Sequence, residues 1–273
     1  AGIAIDSPNG QFRARHLNAR RIVFGSLSKD SNQSLPALWR QRADAPITTS
    51  NSQGRIECAN DEILCRAAGH TVQANGVMRP SVWEESKATW IETSLPVPAF
   101  CVGGNALGIS DNGVICGFAE IKIAPTPNRL PCVWAPGESG GYKRFTVLPT
   151  PTEVKSAVAI DINRRGTVVG YSEDRDGTRR ACRWNPTATG WVWEDLGVEG
   201  AAVSINWLGS IVGGNPDNSY LWQCEERFDL NALLKQGNEP SLDRVYAIGE
   251  LGDLIGISGD QGRVLTPVTT LSF

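Results

Sequence analysis

Apolar and polar residues alternate in short runs along the whole chain, with the two-residue period of half-buried strands. Asn, Asp, Gly and Pro punctuate these runs. No stretch sustains a helical period, apart from one short turn at 229–236. One nine-residue pattern recurs six times. It holds an apolar residue, often Asn, two turn residues, often Gly, a variable residue, two apolar residues and then Gly. The copies are 17–25 (LNARRIVFG), 58–66 (CANDEILCR, degenerate), 109–117 (ISDNGVICG), 162–170 (INRRGTVVG), 205–213 (INWLGSIVG) and 248–256 (IGELGDLIG). Asn-x-x-Gly suits a hairpin turn, because Asn and Gly both tolerate left-handed backbone.

A second element follows each copy. A small residue, a variable residue and Trp stand at 37–39, 81–83, 132–134 and 182–184, with Tyr220-Leu221-Trp222 in the fifth copy and Val264-Leu265-Thr266 in the sixth. A third element reads Trp193-Glu194-Asp195-Leu196-Gly197, Arg227-Phe228-Asp229-Leu230 and, more loosely, Phe145-Thr146-Val147-Leu148. The unit is therefore strand, tight turn, strand, loop, strand, loop, strand, at the length of a propeller blade. Six such units fill the chain. They predict an all-β fold, a single six-bladed β-propeller of four-stranded blades over residues 1–273. The segment Ile3-Ala4-Ile5-Asp6 resembles an outer strand and is expected to complete the last blade; residues 268–273 are the alternative.

The sequence 159–197, with Arg180-Ala181-Cys182-Arg183-Trp184 between its Gly170 and Gly197, resembles the bacterial HAF-type repeat family. The closing Val264-Leu265-Thr266-Pro267-Val268 is similar to that family's ends. The resemblance covers nearly the whole chain and implies a β-propeller. It brings no established activity, and the family is usually labelled extracellular.

Composition narrows the function classes. A net charge of −3 argues against sequence-independent binding to nucleic acid or an anionic membrane, and no apolar run is long enough to span a bilayer as a helix. The seven cysteines cannot all pair with one another. Five fall at repeat positions: Cys58 on a first strand, Cys65 and Cys116 where other copies hold Phe24, Val169, Val212 and Ile255, and Cys132 and Cys182 where others hold Ala37 and Ser81. They read as buried free thiols, which fits a reducing compartment, so a cytoplasmic location is favoured over a secreted one. Ala1 fits either a removed methionine or a cleaved leader.

Catalytic and metal motifs are weak. His16 on the first strand and His70, expected in the long second-blade loop, have no second imidazole at ligand spacing; no metal site or cofactor is expected. Gly137-Glu138-Ser139-Gly140-Gly141 matches GxSxG but lies between two strands, where a nucleophile elbow needs a helix after it. Glu173-Asp174-Arg175-Asp176-Gly177 lacks the further ligands of a calcium loop. The glycine patterns fit neither phosphate nor dinucleotide loops.

The six turn tips are expected on one face. There Trp207 and Leu208 of the fifth copy would neighbour Leu251 of the sixth, with Arg20 and Arg21 of the first copy next in order. An exposed aromatic and aliphatic patch beside Arg is hot-spot composition. Against this stands a Trp207 folded back over its own blade. The longer loops differ between copies and are the natural place for one asymmetric site. Three readings result. The first is a non-enzymatic protein that holds a protein partner through a propeller face. The second is a carbohydrate-active hydrolase or lyase at the central channel mouth, with Glu120, Glu173, Asp174, Asp217 and Asp260 as unassigned carboxylates. The third is a lectin, which would need the same polar residues in every copy. A small-molecule or sugar ligand stays open beside the protein partner.

Overall fold

The structure is a computed structural model that describes residues 4–7, 10–18, 20–30, 33–40, 43, 45–62, 65–87, 89–123, 126–137, 140–236 and 241–267. It is nearly all β. The first sheet runs β1 (Ala4–Ser7), β2 (Gly10–Leu17), β3 (Ile22–Asp30), β4 (Gln33–Arg40) and β5 (Ile47–Thr48). The second holds β6 (Gly54–Ala59), β7 (Arg66–Val72), β8 (Met78–Ser86) and β9 (Thr89–Ser94). The third holds β10 (Cys101–Ile109), β11 (Ile115–Ile123), β12 (Thr126–Pro136) and β13 (Tyr142–Val147). The fourth holds β14 (Ser156–Ile162), β15 (Val168–Glu173), β16 (Arg179–Thr187) and β17 (Gly190–Glu199). The fifth holds β18 (Ala201–Ile205), β19 (Ile211–Gly214), β20 (Ser219–Gln223) and β21 (Glu226–Asp229). A short helix α1 (Leu230–Gln236) follows, its first turn capped by Asp229 Oδ1, which accepts the Ala232 N–H at 3.1 Å. The sixth sheet holds β22 (Arg244–Ile248), β23 (Leu254–Ser258) and β24 (Gln261–Leu265). Every pairing is antiparallel between consecutive strands, and the fold class is that of a six-bladed β-propeller. The chain divides into two compact units, Ala1–Leu148 and Pro149–Phe273, with three sheets each.

The N-terminal strand is not where the sequence placed it. β1 pairs with β2, Ala4 opposite Arg13, at the edge of the first sheet away from β5. It is therefore a fifth strand there, not an outer strand for the sixth sheet. The alternative, 268–273, lies outside the described residues.

The repeated glycine has a steric cause. The lead strand of each sheet, β2 in the first and the opening strand in the other five, carries a β-bulge at the same place, and the residue before it faces a glycine: Ala14 opposite Gly25, Ile56 opposite Gly69, Ala106 opposite Gly117, Ala159 opposite Gly170, Ala202 opposite Gly213 and Val245 opposite Gly256. The bulge brings a lead-strand carbonyl over the second strand. A Cβ on Gly25 or Gly170 would stand 1.9 Å from the carbonyl oxygen of Arg13 or Val158. No side chain fits that gap.

This register corrects the degenerate second copy. Its closing residue is Gly69, not Arg66. The turn after Asn60 closes on Arg66, where the other copies close four residues on, so it holds two extra residues. Cys65 therefore sits at the end of that turn, and Ala68 takes the position shared with Phe24 and Cys116. His70 moves out of the expected loop into the middle of β7.

The turns divide labour between Asn and Gly differently from the sequence reading. Glycine supplies the left-handed residue, at φ 80° in Gly113, 84° in Gly166, 94° in Gly209 and 92° in Gly252, the three-residue loop with a closing bulge. Arg21 takes that place in the first turn at φ 58°, where glycine would be unstrained. Asparagine is buried and stitches sheets together. Asn163 Oδ1 accepts the Thr167 N–H at 3.1 Å while its Nδ2 donates to the Asn206 carbonyl at 3.0 Å. Asn206 repeats this with Ser210 at 2.9 Å and Gly249 at 3.4 Å, and Asn18 with Ile22 at 3.0 Å and Asn60 at 3.3 Å. Each side chain thus fixes its own hairpin and the neighbouring one.

Blade packing rests on the repeated tryptophans. Trp83, Trp134 and Trp184 are fully buried. The Trp134 indole donates to Pro96 at 2.7 Å, Trp184 to Pro149 at 2.7 Å and Trp222 to Leu196 at 3.1 Å, so each is pinned to the segment before its own sheet. All seven cysteines are free; six are buried and Cys224 is exposed. Burial pushes the Cys65 thiol up to about 11 and Cys182 up to about 12, so these thiols stay protonated and unreactive at neutral pH.

Candidate functional site

In the second unit, three turns stand side by side. The bonds from Asn163 to Asn206 and from Asn206 to Gly249 fix their order, and the tips present Arg164-Arg165, Trp207-Leu208 and Glu250-Leu251. The Trp207 N–H donates to Glu250 Oε2 at 2.8 Å, which ties the fifth turn to the sixth. The Arg165 guanidinium lies 5.7 Å from the Trp207 ring centroid. Trp207 therefore leans toward the preceding turn and does not fold back over its own sheet. It is 45% exposed, Leu208 51% and Leu251 86%. The sequence reading missed Arg165; its place two residues after Asn163, matching Leu208 after Asn206, is the signal that would have found it.

A cavity of about 400 Å³ opens beside Leu208, lined also by Arg165, Arg183, Cys224, Glu225 and Arg227. Arg183 organises its wall. It donates from Nε to Glu194 at 2.7 Å and from Nη2 to Glu194 at 2.9 Å, and it reaches Glu225 as well. Burial works against the Arg183 charge, but its bonds to Glu225 and Glu194 outweigh that and hold its pKa above the usual arginine value. Cys224 and Glu225 form the turn between β20 and β21 at φ 51° and 64°, a strained choice for residues with side chains.

Arg20 and Arg21 lie in the first unit, on the turn from β2 to β3. Arg20 pairs with Glu85 at 2.9 Å, and Arg40 pairs with the same carboxylate at 2.6 Å. Arg20 is thus engaged in an ion-pair network, and Arg21 is the residue forced to positive φ.

Of the five carboxylates named from sequence, Glu120 lies in the first unit and Glu173, Asp174, Asp217 and Asp260 in the second. Glu120 is 3.6 Å from Arg129 and Glu173 2.9 Å from Arg179. Asp174 Oδ1 accepts the N–H groups of Asp176 and Thr178, each at 3.0 Å, so its acidic loop is a capped tight turn. Asp217 and Asp260 lie in two separate turns. Among the described residues no hydrogen bond joins any two of the five. Ser139 of the GxSxG match lies outside the described residues; Gly137 and Gly141 close a hairpin with a 2.8 Å bond.

The first unit carries a polar cluster that the sequence reading did not assemble. Glu57 Oε1 accepts from Arg55 Nε at 2.8 Å and from Asn105 Nδ2 at 3.3 Å. His70 Nδ1 stands 3.0 Å from Asn105 Oδ1. Both His70 and Asn105 are buried. His70 has its pKa lowered, chiefly by burial, although Glu57 opposes this; His16 is lowered for the same first reason. A folded-state pKa below the unfolded one means that acid favours the unfolded chain. Stability is expected to fall as the pH drops below about 6.5, the ordinary imidazole value, until the folded-state imidazoles also protonate. Urea unfolding at pH 7.5 and 5.5 measures it, and a His70→Asn variant should show a shallower decline.

Among the described residues no cluster of His, Cys, Asp and Glu could hold a metal ion, and no helix is long and apolar enough to cross a membrane. No protein-family model and no curated protein matches the chain. Among solved structures it is similar to a Trypanosoma rangeli sialidase in complex with sialic acid, with a TM-score of 0.51 and 12% identity over 80% of this chain. The match spans 43% of that chain, less than half its length. This likeness shows the β-propeller fold that the six sheets share with it.

Proposed function

We propose that the chain is a non-enzymatic binding protein that holds a protein partner on the turn face of its second unit. Its membership of the HAF-type repeat family and its action as one domain belong to the same proposal. The observation that supports the reading is the exposed row of Trp207, Leu208 and Leu251 on adjacent, mutually hydrogen-bonded turns. Large apolar side chains on rigid turns lose little entropy on binding. Arg164 and Arg165 beside them suit a partner segment that carries an acidic residue next to apolar ones.

The test captures binding proteins from the host with wild-type protein and with Trp207→Asp and Leu251→Asp, each checked for native circular dichroism. The expected result is a partner whose affinity drops at least about thirtyfold in both variants, the scale of a hot-spot loss. Equal binding by all three proteins contradicts the reading.

A further inference from the structure

The fifth sheet is cut short at the end away from its turn tip. In the other sheets the residue after the repeated glycine carries a side chain, namely Ser26, His70, Phe118, Tyr171 and Ile257, but here it is Gly214. Strand β19 stops at that residue after four residues, where β15 runs for six and β11 for nine. A cavity of about 330 Å³ opens at this end. Ala201, Val203, Pro216 and Val245 give it an apolar wall, and Asn215, Ser219, Arg179 and Arg244 are its polar side chains. Among the described residues no carboxylate lines it.

Each polar side chain keeps a donor that the fold leaves unused. Ser219 is 1% exposed, yet among the described residues no hydrogen bond joins its hydroxyl. A buried hydroxyl without a partner is costly unless something in the cavity satisfies it. Asn215 Oδ1 accepts the N–H groups of Asp217 and Asn218 at 3.0 and 2.9 Å, which occupies the oxygen and leaves Nδ2 to donate elsewhere. Arg179 donates from Nε to Glu173 at 2.9 Å, and its guanidinium lies 4.5 Å from the Tyr171 ring centroid. These contacts fix its fork without using Nη1 or Nη2. Arg244 has no ion-pair partner among the described residues. The cavity thus presents two positive charges, further donors and apolar surface. We propose that it binds a small carboxylate that carries an apolar body. The forks of Arg179 and Arg244 take the planar carboxylate, with Ser219 and Asn215 as further donors, and the body lies against Val203 and Val245. Phosphate has no apolar surface to bury there, so it suits the site less well. The site lies at the other end of β18 from the Trp207 turn, so it does not depend on the protein-binding reading.

The experiment is an NMR titration of the ¹⁵N-labelled chain at ionic strength held constant with chloride. The probes are benzoate, benzyl alcohol and inorganic phosphate. Benzoate is expected to shift the Gly200, Gly213, Gly214 and Ser219 amides with a dissociation constant of about 1 mM or below. Benzyl alcohol keeps the ring but not the charge, and should bind at least about tenfold more weakly. Arg244→Gln should weaken benzoate binding at least about tenfold, the loss of a charge-assisted pair, and Arg244→Lys should weaken it less. Ser219→Ala should weaken it about fivefold, the net worth of one hydrogen bond. Arg144→Gln on exposed β13 should leave it unchanged. The spectra themselves report whether each variant is folded. No shift of these amides with benzoate, equal binding of benzyl alcohol, tighter binding of phosphate, or equal binding of benzoate by Arg244→Gln would overturn the proposal.

Discussion

Gly170→Ala is expected to abolish folding of the second unit or to cost more than about 4 kcal/mol, a large part of a domain's stability. The new Cβ would sit 1.9 Å from the Val158 carbonyl oxygen, 3.0 Å from its carbon and 3.2 Å from the Ala159 Cα. All three are backbone atoms of the lead strand, so no side-chain rotation relieves the clash. The strand pair would have to separate where the bulge draws it together. Gly262→Ala is the contrast, since nothing stands within 4 Å of its Cβ position. It should change stability by less than about 0.5 kcal/mol. Urea unfolding of both variants decides between a steric role for the repeated glycine and a merely compositional one.

The second large effect is expected at Trp184. Its ring is fully buried and its indole N–H donates to Pro149 at 2.7 Å. Trp184→Ala removes the largest side chain of the fourth sheet's core and leaves a cavity, at about 3–5 kcal/mol. Trp184→Phe keeps most of the packing but strands the Pro149 carbonyl. Trp83 provides an internal control, because it is equally buried and, among the described residues, its Nε1 has no hydrogen-bond partner. Trp83→Phe should therefore cost less than Trp184→Phe, by about 1 kcal/mol, the net worth of one hydrogen bond. Equal losses in denaturant unfolding would show that packing alone sets the tryptophan's role.

What could be read from the sequence follows from what each residue must satisfy locally. The tryptophan positions and five of the six glycines are legible because a buried indole and a forbidden Cβ tolerate few replacements. The second copy misleads because its turn holds two extra residues, which hides Gly69 behind the false match at Arg66. The spacing to tryptophan would have corrected it: Gly69 stands as far before Trp83 as Gly25 before Trp39 and Gly170 before Trp184. The asparagines were identified as turn residues, but their bonds to neighbouring hairpins depend on how sheets pack. The same holds for Arg55, Glu57, His70 and Asn105, which come from three strands and meet only once the register of β6, β7 and β10 is known. Burial at Cys132 and Cys182 was legible because each pairs with the repeated glycine, opposite Gly117 and Gly170. The fate of the N-terminal strand was not, since a four-residue run of alternating pattern suits any sheet edge.

A crystal structure of the chain tests the account most directly. The expected density shows six antiparallel sheets, each with a bulged lead strand set against glycine 25, 69, 117, 170, 213 or 256 in turn. Sheets that pair strands from different copies, any other number of sheets, or a bulge facing a residue other than these glycines would contradict it.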